Sequence, residues 1–284
     1  MLPSFRRAQL ELHVALLLIG FTGLFGKLIT ASPATIAFGR TAISATAMYL
    51  GLRMLRAEHG RIARHAMPGA IISGLLLTLH WLTFFHAIQV STVAIGLIGL
   101  ATFPIFITFL EPLLQRSSLR PIDLLSTALV ASGLILVAPN ADLANATTRG
   151  LLWALLSGFI YALVTLLNQH LVKTESAIGL ALWQQACVAL VLLPVMIYGG
   201  TWPDAATWGW LVVLGLACTT LPQILLIHAL KFMRAHLVAV ATALEPVYGI
   251  LFAAVLLNEI PDLRTLAGGT IVIGAVVLAM RSHR

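Results

Sequence analysis

The chain has 284 residues, 60% of them hydrophobic and only 10% charged, where an ordinary soluble domain carries roughly 25% charged residues. That composition excludes a water-soluble enzyme or binding module and places the chain in a lipid bilayer. The net charge of +7 would suit a nucleic-acid binder, but the basic residues fall in short breaks between apolar runs, so nucleic acid is excluded as a partner.

Runs of about twenty apolar residues, enough to cross a ~30 Å hydrocarbon core as helix, follow one another along the chain. The first five lie near 10–30, 33–55, 67–88, 92–114 and 121–139. The second five lie near 150–171, 177–199, 207–230, 236–257 and 263–281. Arg6-Arg7 before the first run looks like the start of a signal peptide, yet that run is long, lacks a small-x-small cleavage site and is followed by nine more; it reads as a retained helix. The breaks carry the expected punctuation: Ser32-Pro33, Ser91, Arg120-Pro121, Pro139-Asn140, Trp202-Pro203 and Ile260-Pro261. With the N-terminus cytoplasmic, thirteen Lys and Arg fall inside, among them Arg53, Arg56, Arg61, Arg116, Arg120, Lys173, Lys231, Arg234 and Arg284. Only Lys27, Arg149 and Arg264 fall outside. This bias predicts that both termini are cytoplasmic.

The chain is also written twice. Phe85-His86-Ala87-Ile88 aligns with Ile227-His228-Ala229-Leu230, and the same offset lays Phe103-Pro104 on Glu245-Pro246. Leu17 to Phe21 sits beside Leu155 to Phe159, and Arg40-Thr41-Ala42 beside Gln184-Gln185-Ala186, with small gaps between registers. Five spans per copy force the second copy to enter the membrane upside down. The expected fold is therefore an all-α membrane protein of ten transmembrane helices, in two inverted five-helix repeats over residues 1–140 and 141–284. Such symmetry is a recurrent signature of secondary transporters, whose site lies near the midplane between repeats.

An ionisable group at the bilayer centre costs at least ~2.5–3.5 kcal/mol on insertion scales, so it faces a cavity or a partner. Glu245, Arg40 and His80 are the central ones; Lys27 and Glu111 are closer to span ends, where they can snorkel. Pro246 and Pro104 occupy matching places as helix hinges, but Glu245 has only Phe103 opposite it. Glu245 offers a carboxylate for a substrate amine or a proton, against a simpler role as a hinge residue. Arg40 offers a planar fork suited to a carboxylate; the competing reading is a structural arginine that pairs with helix ends or Glu245. His80 and Phe84 share one face of span three and point to an aromatic pocket, with His80 a second candidate for proton coupling. Trp81 and Phe85 read as packing or lipid contacts, and His86 and His228 as hydrogen-bonded packing residues. Tyr161 and Gln184 touch substrate or join helices. Cys187 and Cys218 fall inside spans as small apolar residues, and neither a metal nor a cofactor is expected.

The stretch Leu244-Glu245-Pro246-Val247, then Leu251 to Leu257 and Asn258-Glu259, resembles the second-repeat signature of the EamA-like branch of the drug/metabolite transporter superfamily. Arg40 and the preceding Pro33 add to that resemblance, which extends over the whole chain. It implies a ten-helix carrier of small metabolites, and the chain is also similar in overall character to bacterial exporters of aromatic amino acids. One departure is Ser117, which stands where the first repeat would match Glu259. Glu11, at the edge of span one, differs in place from the membrane-embedded glutamate of the four-helix multidrug pumps in that superfamily.

The function expected is alternating-access export of amino acids or related metabolites across the bacterial inner membrane. Carriers of phosphates or nucleotide sugars would want more cavity Lys and Arg; a channel would show rings of like side chains. A membrane enzyme would show HExxH, Gly-x-Ser-x-Gly or paired aspartates. A ten-helix carrier can enclose its own site as a monomer.

Overall fold

A computed structural model describes residues 3–54, 62–115, 121–137, 142–199, 202–233, 238, 241–242 and 245–281. Arg56, Arg61, Arg116, Arg120, Arg234 and Arg284, the Ser117 position, Pro139-Asn140 and Leu244 lie outside the described residues. Among those described, the regular structure is helical throughout.

The first half runs α1 (Pro3–Gly20), α2 (Thr22–Leu28), α3 (Pro33–Met54), α4 (Met67–Val90), α5 (Val93–Leu100), α6 (Phe103–Gln115) and α7 (Pro121–Val137). The second runs α8 (Ala146–Leu171), α9 (Ala177–Tyr198), α10 (Ala205–Gly215), a π-helical turn over Leu216–Thr220, α11 (Leu221–Phe232), α12 (Glu245–Leu257) and α13 (Leu263–Arg281). Among the described residues, six segments are long and apolar enough to cross a membrane: Arg7–Leu28, Met67–Val90, Val93–Leu113, Ala146–Leu171, Ala177–Tyr198 and Ala205–Phe232.

Three of the expected continuous spans are broken. Span one divides at Phe21, where Gly20 lets α12 approach so closely that a Cβ on Gly20 would stand 2.8 Å from Tyr248 Cβ. Phe21 then stacks on Phe252 at 3.8 Å between ring centroids. Span four divides at Ala101 and Thr102, and Pro104 falls in the first turn of α6, where a missing backbone donor costs no helical bond. The hinge expected at Pro104 is thus a discontinuity between two helices rather than a bend within one. Span eight is interrupted by its π-helical turn, in which Thr219 Oγ1 donates to Leu214 O at 2.7 Å and Thr220 Oγ1 to Gly215 O at 2.8 Å.

The distribution of polarity reverses that of a soluble core. Leu113, Tyr198, Val255 and Leu263 are at least 75% exposed, whereas Arg40, Thr41, Ser44, Ser73, Ser157, Gln184 and Gln185 are buried. Apolar surroundings stabilise that arrangement, because the outward side chains need no water and the inward ones find one another. The helices pair in a pattern that survives exchange of the two halves. α4 packs along α8 as α11 packs along α1; α4 lies on α9 as α10 lies on α3; α5 and α6 lie on α8 as α12 lies on α1. The pairs α3 with α9, α5 with α12 and α7 with α13 map onto themselves.

Candidate functional site

Where α3, α4, α8, α11 and α12 converge, a cavity of about 390 Å³ is lined by Arg40, His80, Trp81, Tyr161, Thr219, Gln223 and Glu245, together with apolar groups from Ile19, Leu100 and Leu226. Pro222 makes the arginine site. Having no N–H, it leaves the carbonyl of Cys218, four residues earlier, without its helical partner, and Arg40 Nη2 donates to that oxygen at 3.3 Å. Arg40 Nε donates to Thr219 Oγ1 at 2.9 Å. The guanidinium carbon lies 3.8 Å from the Trp81 ring centroid, a cation–π contact of ~2 kcal/mol when desolvated. Arg40 is 1% exposed, and its Nη1 has no hydrogen-bond partner. One nitrogen of a fully buried guanidinium is therefore without a hydrogen-bond partner.

Glu245 is 4% exposed and lines the same cavity. Among the described residues, it makes neither a hydrogen bond nor an ion pair. The pairing of Arg40 with Glu245 that the sequence left open is not made; the arginine is held by the π-helical turn instead.

His80 is fixed from behind. Its Nδ1 lies 2.9 Å from Ser157 Oγ and 3.2 Å from Ser157 O, and its ring stacks on Tyr161 at 4.6 Å. Tyr161 in turn meets Phe103 edge-on at 5.2 Å. Phe84 lies next to the imidazole at 6.0 Å but outside the lining, buried in the core with Phe85. Trp81, read from sequence as packing, is a cavity residue because Arg40 rests on it.

Gln184 is likewise outside the lining and forms the centre of a polar chain. It receives a hydrogen bond from Gln223 Nε2 at 2.9 Å and donates to Ser73 Oγ at 2.7 Å and to Asn168 Oδ1. A second space of about 320 Å³, lined by Asn168, Thr165, Thr242, Val238 and Leu230, adjoins the first and shares Tyr161, Gln223 and Leu226 with it.

Away from the cavity, Lys27 does not reach for headgroups: its Nζ donates to Ser91 O at 2.6 Å. Glu259 Oε2 accepts from Val93 N at 3.0 Å. Glu11 accepts from Arg7 at 2.8 Å and is 2.6 Å from His228 Nδ1, so His228 is the hydrogen-bonded packing residue expected. Sequence reading missed Thr219, Gln223, Asn168 and Ser157. The Thr219-Thr220-Leu221-Pro222 run was the available signal for the first of these, since back-bonding threonines ahead of a proline disturb a helix. Among the described residues no cluster of His, Cys, Asp and Glu could hold a metal ion.

Residues 148–281 match the EamA-like transporter family. The pseudopaline exporter CntI of Pseudomonas aeruginosa is 24% identical over 90% of this chain and 88% of its own length. The S-adenosylmethionine uptake transporter of Rickettsia conorii is 24% identical over 75% of this chain and 72% of its own. An uncharacterised transporter, YxxF of Bacillus subtilis, is 21% identical over 96% and 89%. A solved crystal structure shares the fold with a TM-score of 0.73 at 18% identity, covering 98% of this chain and 99% of that one.

Proposed function

We propose that this chain, whose residues 148–281 match the EamA-like transporter family, is a membrane transporter that carries zwitterionic metabolites of the amino-acid type out of the cell by alternating access. The observation that carries this reading is a guanidinium and a carboxyl that face one buried cavity without touching. Arg40 Nη1 has no hydrogen-bond partner, and Glu245, which interacts with Arg40 through its charge alone, makes no hydrogen bond or ion pair among the described residues. A carboxylate on the first and an ammonium on the second would neutralise both, and an α-amino acid brings the two together. Tyr161, His80 and Trp81 supply a stacking surface for an apolar or aromatic side chain.

The carrier works as ten spans in two inverted repeats, residues 1–140 and 141–284, in the cytoplasmic membrane with both termini inside. The exchange-symmetric helix pairing supports that arrangement. The named relatives export pseudopaline or take up S-adenosylmethionine, in keeping with a small-metabolite substrate. Where transport is proton-driven, Glu245 is the coupling group; His80 is less suited, because its Nδ1 is occupied by Ser157.

The test is exchange of radiolabelled threonine, methionine and phenylalanine into liposomes that hold only the purified protein and unlabelled amino acid. Saturable exchange, abolished by Arg40→Gln and made insensitive to a pH gradient by Glu245→Gln, is the expected result. Folded protein that exchanges no amino acid would refute the substrate class.

A further inference from the structure

The space beside the charged cavity is built differently, and its hydrogen bonds leave a defined pattern. The Ser73 hydroxyl donates to Asn168 Oδ1 at 2.9 Å, so its oxygen is the acceptor for Gln184 Nε2 at 2.7 Å. Gln184 Nε2 also reaches Asn168 Oδ1, and its Oε1 accepts from Gln223 Nε2 at 2.9 Å. Turning over one amide alone would set donor against donor or acceptor against acceptor, so the three orientations are coupled; turning all three together keeps every bond and only exchanges donor for acceptor at the two ends. In the orientation given, what remains over is Asn168 Nδ2, a donor, and Gln223 Oε1, an acceptor. Neither has a protein partner among the described residues, and both residues line the 320 Å³ space.

The other polar groups there are spent. Thr165 Oγ1 donates to Tyr161 O at 2.8 Å and Thr242 Oγ1 to Val238 O at 2.8 Å. Among the described residues no Asp, Glu, Lys or Arg lines the space, and a charge beside these neutral groups alone would be desolvated without a counter-ion.

We propose that Asn168 and Gln223 form a second substrate subsite that takes a neutral carboxamide-type group, one end of the polar chain donating to its carbonyl and the other accepting from its N–H. This rests on the zwitterion reading of the first cavity and extends it. Tyr161 and Gln223 border both spaces, so a single substrate with a charged head on Arg40 and Glu245 can lay an amide-bearing side chain in the second. The preferred substrates are amino acids whose side chain ends in an amide, ahead of apolar ones of equal length.

The experiment compares glutamine with leucine in the proteoliposome exchange assay, in the unchanged protein and in Gln223→Met and Asn168→Leu. Each variant deletes one hydrogen bond to the side-chain amide, so the ratio of the glutamine KM to the leucine KM rises about tenfold. Equal weakening of both substrates, or an unchanged ratio, overturns the subsite. Should the unchanged protein exchange no amino acid, the transport reading fails on its own, and the subsite is read from thermal unfolding in detergent with benzamide, an amide without a zwitterion. Benzamide raises the Tm of the unchanged protein more than that of Gln223→Met; equal shifts overturn the subsite.

Discussion

Arg40 is held by two groups that a regular helix would have kept for itself. The Cys218 carbonyl is free because Pro222 has no N–H, and the Thr219 hydroxyl is turned toward Arg40 by the π-helical turn. These bonds occupy Nε and Nη2 and leave Nη1 without a hydrogen-bond partner. Thr219→Val removes one bond to a charged group, worth about 1.5–3 kcal/mol, and lets the guanidinium turn to satisfy Nε. Amino-acid KM then rises at least tenfold, while Thr219→Ser, which keeps the hydroxyl, restores it. A fall in Tm with no change in KM would reduce Thr219 to a structural residue. The central charges were legible in the sequence because ionisable groups are rare in apolar spans. Their partners were not, because a backbone carbonyl has no signature and threonine is common in membrane helices.

The elements show a second division between what a sequence reveals and what it hides. Hydropathy locates apolar runs, but Phe21 and Ala101 interrupt two of them with no charged residue or proline at the break itself, only a following threonine. Asn258-Glu259, noticed only as a motif, has a mechanical meaning. Asn258 adopts φ 53°, a left-handed conformation that asparagine tolerates, and this ends α12 and turns Glu259 back toward α5. There Glu259 accepts from Val93 N, while Thr92 Oγ1 accepts from Ile95 N at 3.2 Å. The start of α5 is thus capped from its own chain and from the other half. Lys27 secures the adjoining end of α4 through Ser91 O. The two contacts clasp the α4–α5 connection against α2 and α12. Glu259→Ala deletes a charge-assisted bond of about 1.5 kcal/mol or more, enough to change the ratio of clasped to open states by about tenfold. A cysteine placed at Thr92 in the Glu259→Ala protein reacts correspondingly faster with a water-soluble maleimide than the same cysteine beside intact Glu259. Equal rates would show that the clasp holds nothing shut.

At the scale of the whole molecule, the repeat seen in the sequence has a counterpart in which helices touch. α4 meets α8 as α11 meets α1, so the cavity between them is bordered by related positions of unlike chemistry. Under the offset that joins Phe85 to Ile227, His80 falls on Pro222, Trp81 on Gln223, Leu100 on Thr242 and Phe103 on Glu245. All eight line one of the two adjoining spaces. The helix contacts are matched, but the more polar residue stands in only one member of each pair, and Glu245 is matched with Phe103.

The proposed alternating access would open the cavity to one side at a time, and the chain holds its own reporter. Cys218 lines the charged cavity, and Cys187 is the one other cysteine. In a Cys187→Ser protein, Cys218 is therefore the sole thiol. The second space connects the cavity toward Leu230 and Val238, near Lys231 on the side proposed to be cytoplasmic. An impermeant maleimide therefore alkylates Cys218 in inside-out vesicles and spares it in right-side-out ones, and saturating amino acid slows the reaction by occupying Arg40 and Glu245. Equal alkylation from both sides with no protection by substrate would describe an open pore, and a carrier with a closed outer face would have to be abandoned.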